Sequence, residues 1–101
     1  VYVGEIKNAQ GERERRIFTT CFDSRRIAIY DPERGRLETE IVTGRGPQAM
    51  AFDIGEDHAY AYVGHFLDSY VGVVDLDQRH GDMYASMIAT VGQPRAPRAS
   101  K

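Results

Sequence analysis

The histidines, the single cysteine, and certain arginines and carboxylates are the groups that could bind a ligand, hold a metal or do chemistry. His65 closes an apolar run and is followed by Phe66-Leu67-Asp68-Ser69. An imidazole and a carboxylate this close in the chain could contact one ligand, but one His and one Asp do not make a metal coordination shell. Arg45 lies in the connection Gly44-Arg45-Gly46-Pro47, where a guanidinium could bind an anion. His65, Asp68 and Arg45 are therefore the candidate ligand-binding residues. His58 follows Gly55-Glu56-Asp57, and His80 precedes Gly81, so both read as solvated turn residues. Asp31 and Asp75 end similar apolar runs, where a carboxylate oxygen caps the turn that follows.

Several chemistries are excluded or unsupported. Cys21 is the only cysteine, which rules out an intrachain disulfide and a cysteine-built zinc site. Within Ile17-Phe18-Thr19-Thr20-Cys21-Phe22 it reads as a small buried apolar residue. No Gly-x-Ser-x-Gly elbow occurs, and Gly44-x-Gly46 precedes no helical pattern, so nucleophile-elbow, dinucleotide-loop and phosphate-loop readings fail. No catalytic set, metal site or cofactor is expected, and whether the chain is an enzyme stays open at this level. The 101 residues hold 13 Lys and Arg against 15 Asp and Glu, a formal charge of −2 that suits neither phosphate neutralisation nor a polybasic membrane surface. No apolar run approaches the ~20 residues that span a bilayer.

The elements that must position these groups are strands. Apolar residues come in short runs of period two, separated by turn chemistry. Strands are expected at Val1–Lys7, Arg16–Phe22, Arg26–Tyr30, Leu37–Thr43, Gln48–Ile54, Ala59–His65, Tyr70–Leu76 and Tyr84–Val91. Asp31-Pro32-Glu33-Arg34-Gly35 has the residues of a tight turn. Pro47 excludes a central ladder position at its place. The charged stretch Glu12–Arg16 reads as a solvated hairpin tip.

The runs repeat. Phe22-Asp23-Ser24-Arg25-Arg26-Ile27-Ala28-Ile29-Tyr30-Asp31 lies over Phe66-Leu67-Asp68-Ser69-Tyr70-Val71-Gly72-Val73-Val74-Asp75, 44 positions later and without a gap. Further on, Gly44-x-x-Pro47 is set against Gly92-x-Pro94, with a longer turn at Gln78–Asp82 in the second copy. A period of about 40–45 residues holding four short strands is the mark of a β-propeller blade. The expectation is an all-β chain of two four-stranded antiparallel blades of an incomplete β-propeller. The blades occupy 1–43 and 44–94, and 95–101 is a frayed tail or the start of a further blade. Small Ala28 and Gly72 are expected to allow close approach of neighbouring sheets.

Gly44-x-x-Pro47, then Tyr62-Val63, then Tyr70-Val71-Gly72-Val73-Val74-Asp75 resembles the YVTN-type β-propeller repeat of lactonase-like and surface-layer propellers. Tyr62-Val63-Gly64-His65 keeps the first two letters of the name-giving tetrapeptide. Because every strong feature is architectural and no catalytic set stands out, the expectation is a binding or interaction module within a larger scaffold, without chemistry of its own. A fragment of a lactonase-like hydrolase is the alternative. The resemblance implies further blades as partners, from the same parent chain or from other copies, beside an unknown protein, glycan or small ligand. An extracytoplasmic setting is implied as well. Propellers close with 4–8 blades, so these residues are expected to be part of a longer chain, marginal or aggregation-prone alone. His65 and Asp68 would then stand at the tunnel mouth, with Arg45 near the same face.

Overall fold

The computed structural model describes residues 1–92; the expected tail at 95–101, and Gln93 and Pro94 before it, lie outside the described residues. Eight strands follow one another: β1 (Tyr2–Lys7), β2 (Arg13–Cys21), β3 (Arg26–Asp31), β4 (Arg36–Val42), β5 (Pro47–Ile54), β6 (Ala59–His65), β7 (Tyr70–Asp75) and β8 (Met87–Val91). They form two four-stranded antiparallel sheets in simple sequence order, β1 to β4 and β5 to β8. The fold is all-β, and its two meander sheets have the arrangement of an incomplete propeller.

Local pattern explains the strands. In β6, Ala59, Ala61, Val63 and His65 are buried while Tyr60, Tyr62 and Gly64 between them are half-buried, the period-two signature of a pleated strand. Two boundaries move by more than one residue. β2 begins at Arg13 because Lys7 pairs with Arg13, leaving a shorter tip that Asn8 closes by accepting the N–H groups of Gln10 and Glu12 at 2.9 Å each. β8 begins at Met87 because Gln78–Met83 winds into 3-10 turns and Ala85 takes φ 63°. Pro47 opens β5, an edge strand.

The two sheets share one plan. Phe18 pairs with Ile29 and Tyr62 with Val73, 44 positions on. A register shift falls between Ile29 and Tyr30, and another between Val73 and Val74, at the same place in the repeat. In the last strand, however, Ile41 faces Ile27 while Val91 faces Val71. The offset there is 50 rather than the 48 that sets Gly44 on Gly92, because the longer β7–β8 connection displaces β8.

Between the sheets lies the core. Ile6, Phe18, Ile27, Ile29 and Ile41 of the first sheet meet Ala59, Ala61, Val63, Val74 and Leu76, with Met50, Phe52 and Ile54 packed against them. Large side chains on one surface thus meet mostly small ones in β6. The rings of Phe18 and Phe52 are 4.9 Å apart and inclined at 50°. Gly4 makes this contact possible, since a Cβ there would lie 2.6 Å from the Phe52 ring. Ala28 and Gly72 do not have the part expected of them. Ala28 alternates with core residues Ile27 and Ile29 and so points to the opposite face of its sheet. The room at Gly72 is filled by Met87 and His65 of its own sheet.

Polar ties join the sheets at the end carrying the β1–β2, β3–β4, β5–β6 and β7–β8 connections. Leu76 donates to Ala59 O and accepts from Lys7 N, both at 2.9 Å, so the chain leaving β7 bridges to β1. The Lys7 ammonium donates to Glu56 O at 2.6 Å. Arg16, expected at a solvated tip, is instead buried with its side chain 4% exposed. Its guanidinium meets Glu38 at 2.6 Å, Glu14 at 3.0 Å and Asp31 at 3.7 Å. Burial opposes the charge, but the bonds from Glu38 and Glu14 outweigh it and hold the group above its ordinary pKa. Register decides this: Arg16 lies across from Gly4, on the face that Phe18 shares.

Buried Asp77 fixes the β7–β8 connection by accepting from Arg79 N at 3.0 Å and Arg79 Nη2 at 2.7 Å. The Arg79 guanidinium beside it lowers its pKa to about 2.

Two outcomes follow from this packing. Gly4→Ala should destabilise the chain by roughly 1–3 kcal/mol through overpacking. Gly64→Ala, with its nearest neighbour 3.8 Å from the added methyl, should stay within about 1 kcal/mol of the parent in urea unfolding. Because the folded pKa of Asp77 is depressed, its contribution is complete above the unfolded carboxylate value and lost as pH falls towards 2. Asp77→Asn should therefore flatten the acid limb of a stability–pH profile in that window while lowering stability at neutral pH.

Candidate functional site

The opposite end of the sheets carries the β2–β3, β4–β5 and β6–β7 connections, and all three ligand-binding candidates are there. Arg45, in the β4–β5 connection, and Asp68, in the β6–β7 connection, bind each other. The Arg45 backbone N–H donates to Asp68 Oδ2 at 2.7 Å and its Nε donates to Oδ1 at 2.8 Å. These bonds, the backbone one foremost, hold the Asp68 carboxyl below its ordinary pKa. Phe66 N donates to Gly46 O at 2.8 Å, which seats the connection on the loop. Gly44 is required at its place because a Cβ would collide with the Tyr70 hydroxyl and the Asp68 carboxylate. Burial, and after it the charge of Asp68, raises the pKa of the Tyr70 phenol.

His65 stands apart from this clamp. It is 3% exposed, and its ring stacks on Tyr70 with centroids 4.5 Å apart and planes at 29°. Neither ring nitrogen has a hydrogen-bond partner. A buried imidazole without a partner costs stability relative to an apolar ring of that size. His65, Asp68 and Arg45 thus share one end of the fold, but the chemistry of two is engaged by each other and the third is enclosed.

Apolar side chains stand open at this end beside the exposed charges of Asp23 and Arg25. Phe22 and Phe66 occupy equivalent loop positions, are 40% and 67% exposed, and place their rings 6.4 Å apart. Leu67 beside them is half-exposed. Arg25 and Ser69, also equivalent, both take φ 58°, so the two loops turn alike. Phe22, Asp23, Arg25, Arg45, Gly46 and Leu67 surround a hollow of about 180 Å³. A larger groove of about 530 Å³ runs past Phe66, Tyr70, Gly64, Val71 and Val91. The sequence reading missed the Phe pair, although their match in the repeat is visible there. It could not show that both rings face solvent.

The other histidines are turn residues with partners. His58 Nε2 is 2.8 Å from Asp53 Oδ1, and the Tyr62 hydroxyl donates to Asp53 Oδ2 at 2.9 Å. His80 Nδ1 is 2.6 Å from Asp75 Oδ2. Asp31 accepts from the N–H groups of Glu33 and Arg34, and Asp75 from that of Asp77. Among the described residues no group of three or more His, Cys, Asp or Glu side chains could hold a metal ion. No helix among them is long and apolar enough to cross a membrane.

No family model, curated protein or solved structure matches this chain.

The Arg45–Asp68 pair is partly exposed, so its coupling in a double-mutant cycle of Arg45→Ala and Asp68→Ala should be about 0.5–1 kcal/mol. Urea unfolding of the four proteins checks this, and raising the salt concentration should shrink the value.

Proposed function

We propose that this chain is a binding and interaction module: two repeats of a larger β-propeller scaffold of the YVTN type, presenting loops to a partner with no chemistry of its own. The observation that carries this reading is the pair Phe22 and Phe66. Two equivalent loops, with the same backbone reversal at Arg25 and Ser69, each raise one phenylalanine to the same surface. Exposed aromatics in a fixed array are the anchors by which interaction surfaces gain affinity. Of the neighbouring charges, Arg45 and Asp68 engage each other, while Asp23 and Arg25 line the same hollow as Phe22.

The repeat supports the scaffold half of the reading. The equal β2–β3 and β6–β7 registers, and the bulge at the same place in β3 and β7, support the use of one structural unit twice. His65, Asp68 and Arg45 then act from beneath, with Tyr70, as the support that fixes the loops carrying the aromatic pair. Contacts to ligand fall to the rings and to Leu67.

Panning a peptide library and a glycan array on the purified chain tests this. Ligands so found should bind at least about tenfold more weakly to the Phe22→Ser/Phe66→Ser double variant, the loss of more than about 1.4 kcal/mol expected for buried aromatic anchors. Circular dichroism should show unchanged sheet content. Binding indifferent to both substitutions would overturn the assignment of the surface. Lactone opening by the purified chain, abolished by His65→Ala/Asp68→Ala, would overturn the reading as a module without chemistry.

A further inference from the structure

The common plan of the two sheets gives each residue of one a counterpart in the other, and burial differs sharply between counterparts. Ile27 and Ile41 pair across β3 and β4 and are both 0% exposed, covered within the core between the sheets. Val71 and Val91 pair in the same way across β7 and β8 yet are 38% and 61% exposed. The large groove described above runs past both. The second sheet therefore carries, on the face turned away from the first, the same pair of β-branched side chains in the same register. Among the described residues nothing covers it.

The structure also shows what fits such a face. Ile27, Ile29 and Phe18 are covered by the β5–β6 surface of the second sheet, where Phe52 lies on Phe18. The counterpart of that surface is the outer face of β1 and β2. There Val3, paired with Ile17 as Phe52 is with Ala61, is 66% exposed. One end of the molecule thus repeats the covered face, and the other keeps an apolar pair, Val3 and Ile17, at the place of Phe52 and Ala61, with the charged pair Glu5 and Arg15 at the place of Ile54 and Ala59.

We propose that the outer face of β6 to β8 receives the outer β1–β2 face of a second copy of this chain, head to tail, with Val3 of one copy lying on Tyr62 of the other. This rests on the reading of the sheets as equivalent repeats. The contact continues the interface already present between the two sheets rather than adding a new kind. It is heterologous, so association proceeds to a ring if the rotation closes and to an open fibre if it does not.

Sedimentation velocity on the full chain over a range of concentrations tests the proposal together with two surface variants. Val71→Lys/Val91→Lys blocks one end and Val3→Lys the other; all three sites are exposed, and circular dichroism with urea unfolding checks that both variants fold. The parent should associate, and each variant alone should do so at least about tenfold more weakly, because a lysine ammonium would have to be buried. An equimolar mixture of the variants should form a one-to-one dimer, since each keeps the face the other lacks. A parent that stays monomeric at all concentrations would overturn the proposal, as would a mixture that forms no dimer, or variants that associate as the parent does. None of those results touches ligand binding at Phe22 and Phe66, so failure here and failure of the module reading are told apart.

Discussion

A four-stranded sheet has two faces and can bury neither alone, so this fold depends on how one sheet meets the next. Here the contact is Phe18 on Phe52, with Ile27, Ile29 and Ile41 set against the smaller surface of Ala59, Ala61 and Val63. Its closeness depends on Gly4, where the backbone of β1 passes against the Phe52 ring without room for a methyl. Apolar burial of this kind is non-directional, and the ties at either end convert it into one fixed arrangement.

Those two ends are built differently. At one, buried Arg16 gathers Glu38, Glu14 and Asp31, while Lys7, Leu76 and Ala59 join the sheets through backbone bonds. A buried guanidinium is tolerable because three carboxylates surround it; removing one partner would leave charge uncompensated in a poorly solvated place. At the other end the Arg45–Asp68 clamp, with Phe66 N on Gly46 O, seats the connection between sheets on the β6–β7 loop. That end leaves its phenylalanines to solvent. The proposed binding surface thus lies at the end opposite the buried Arg16 cluster and the Lys7–Leu76 bridge.

His65 illustrates how position rather than residue type sets a role. Its place in β6 is in phase with Ala61 and Val63, so its ring is drawn to the buried face and stacks on Tyr70. Cys21 is its counterpart in the first sheet, at the end of β2, where it is half-exposed. The pair shares a backbone position, and the surroundings differ because only one of the two faces is covered by another sheet.

Strands, turns and the 44-residue repeat were legible in the sequence because alternation, turn residues and hairpin register are local properties. The whole of β6 and the Asp31 and Asp75 turns fall in this class. The candidate site was legible only in its placement: Arg45, Asp68 and His65 do share one end of the sheets. Their engagement was not, since whether a guanidinium meets solvent or a carboxylate 23 positions away depends on where two loops come together. For the same reason Arg16 read as solvated and Ala28 as an inter-sheet contact. The period of a strand says that neighbouring side chains point opposite ways, but not which way another sheet lies. Sequence alone determined the unit and its repetition; the tertiary structure decided which face of each unit is covered, because covering requires a second surface that no local pattern contains.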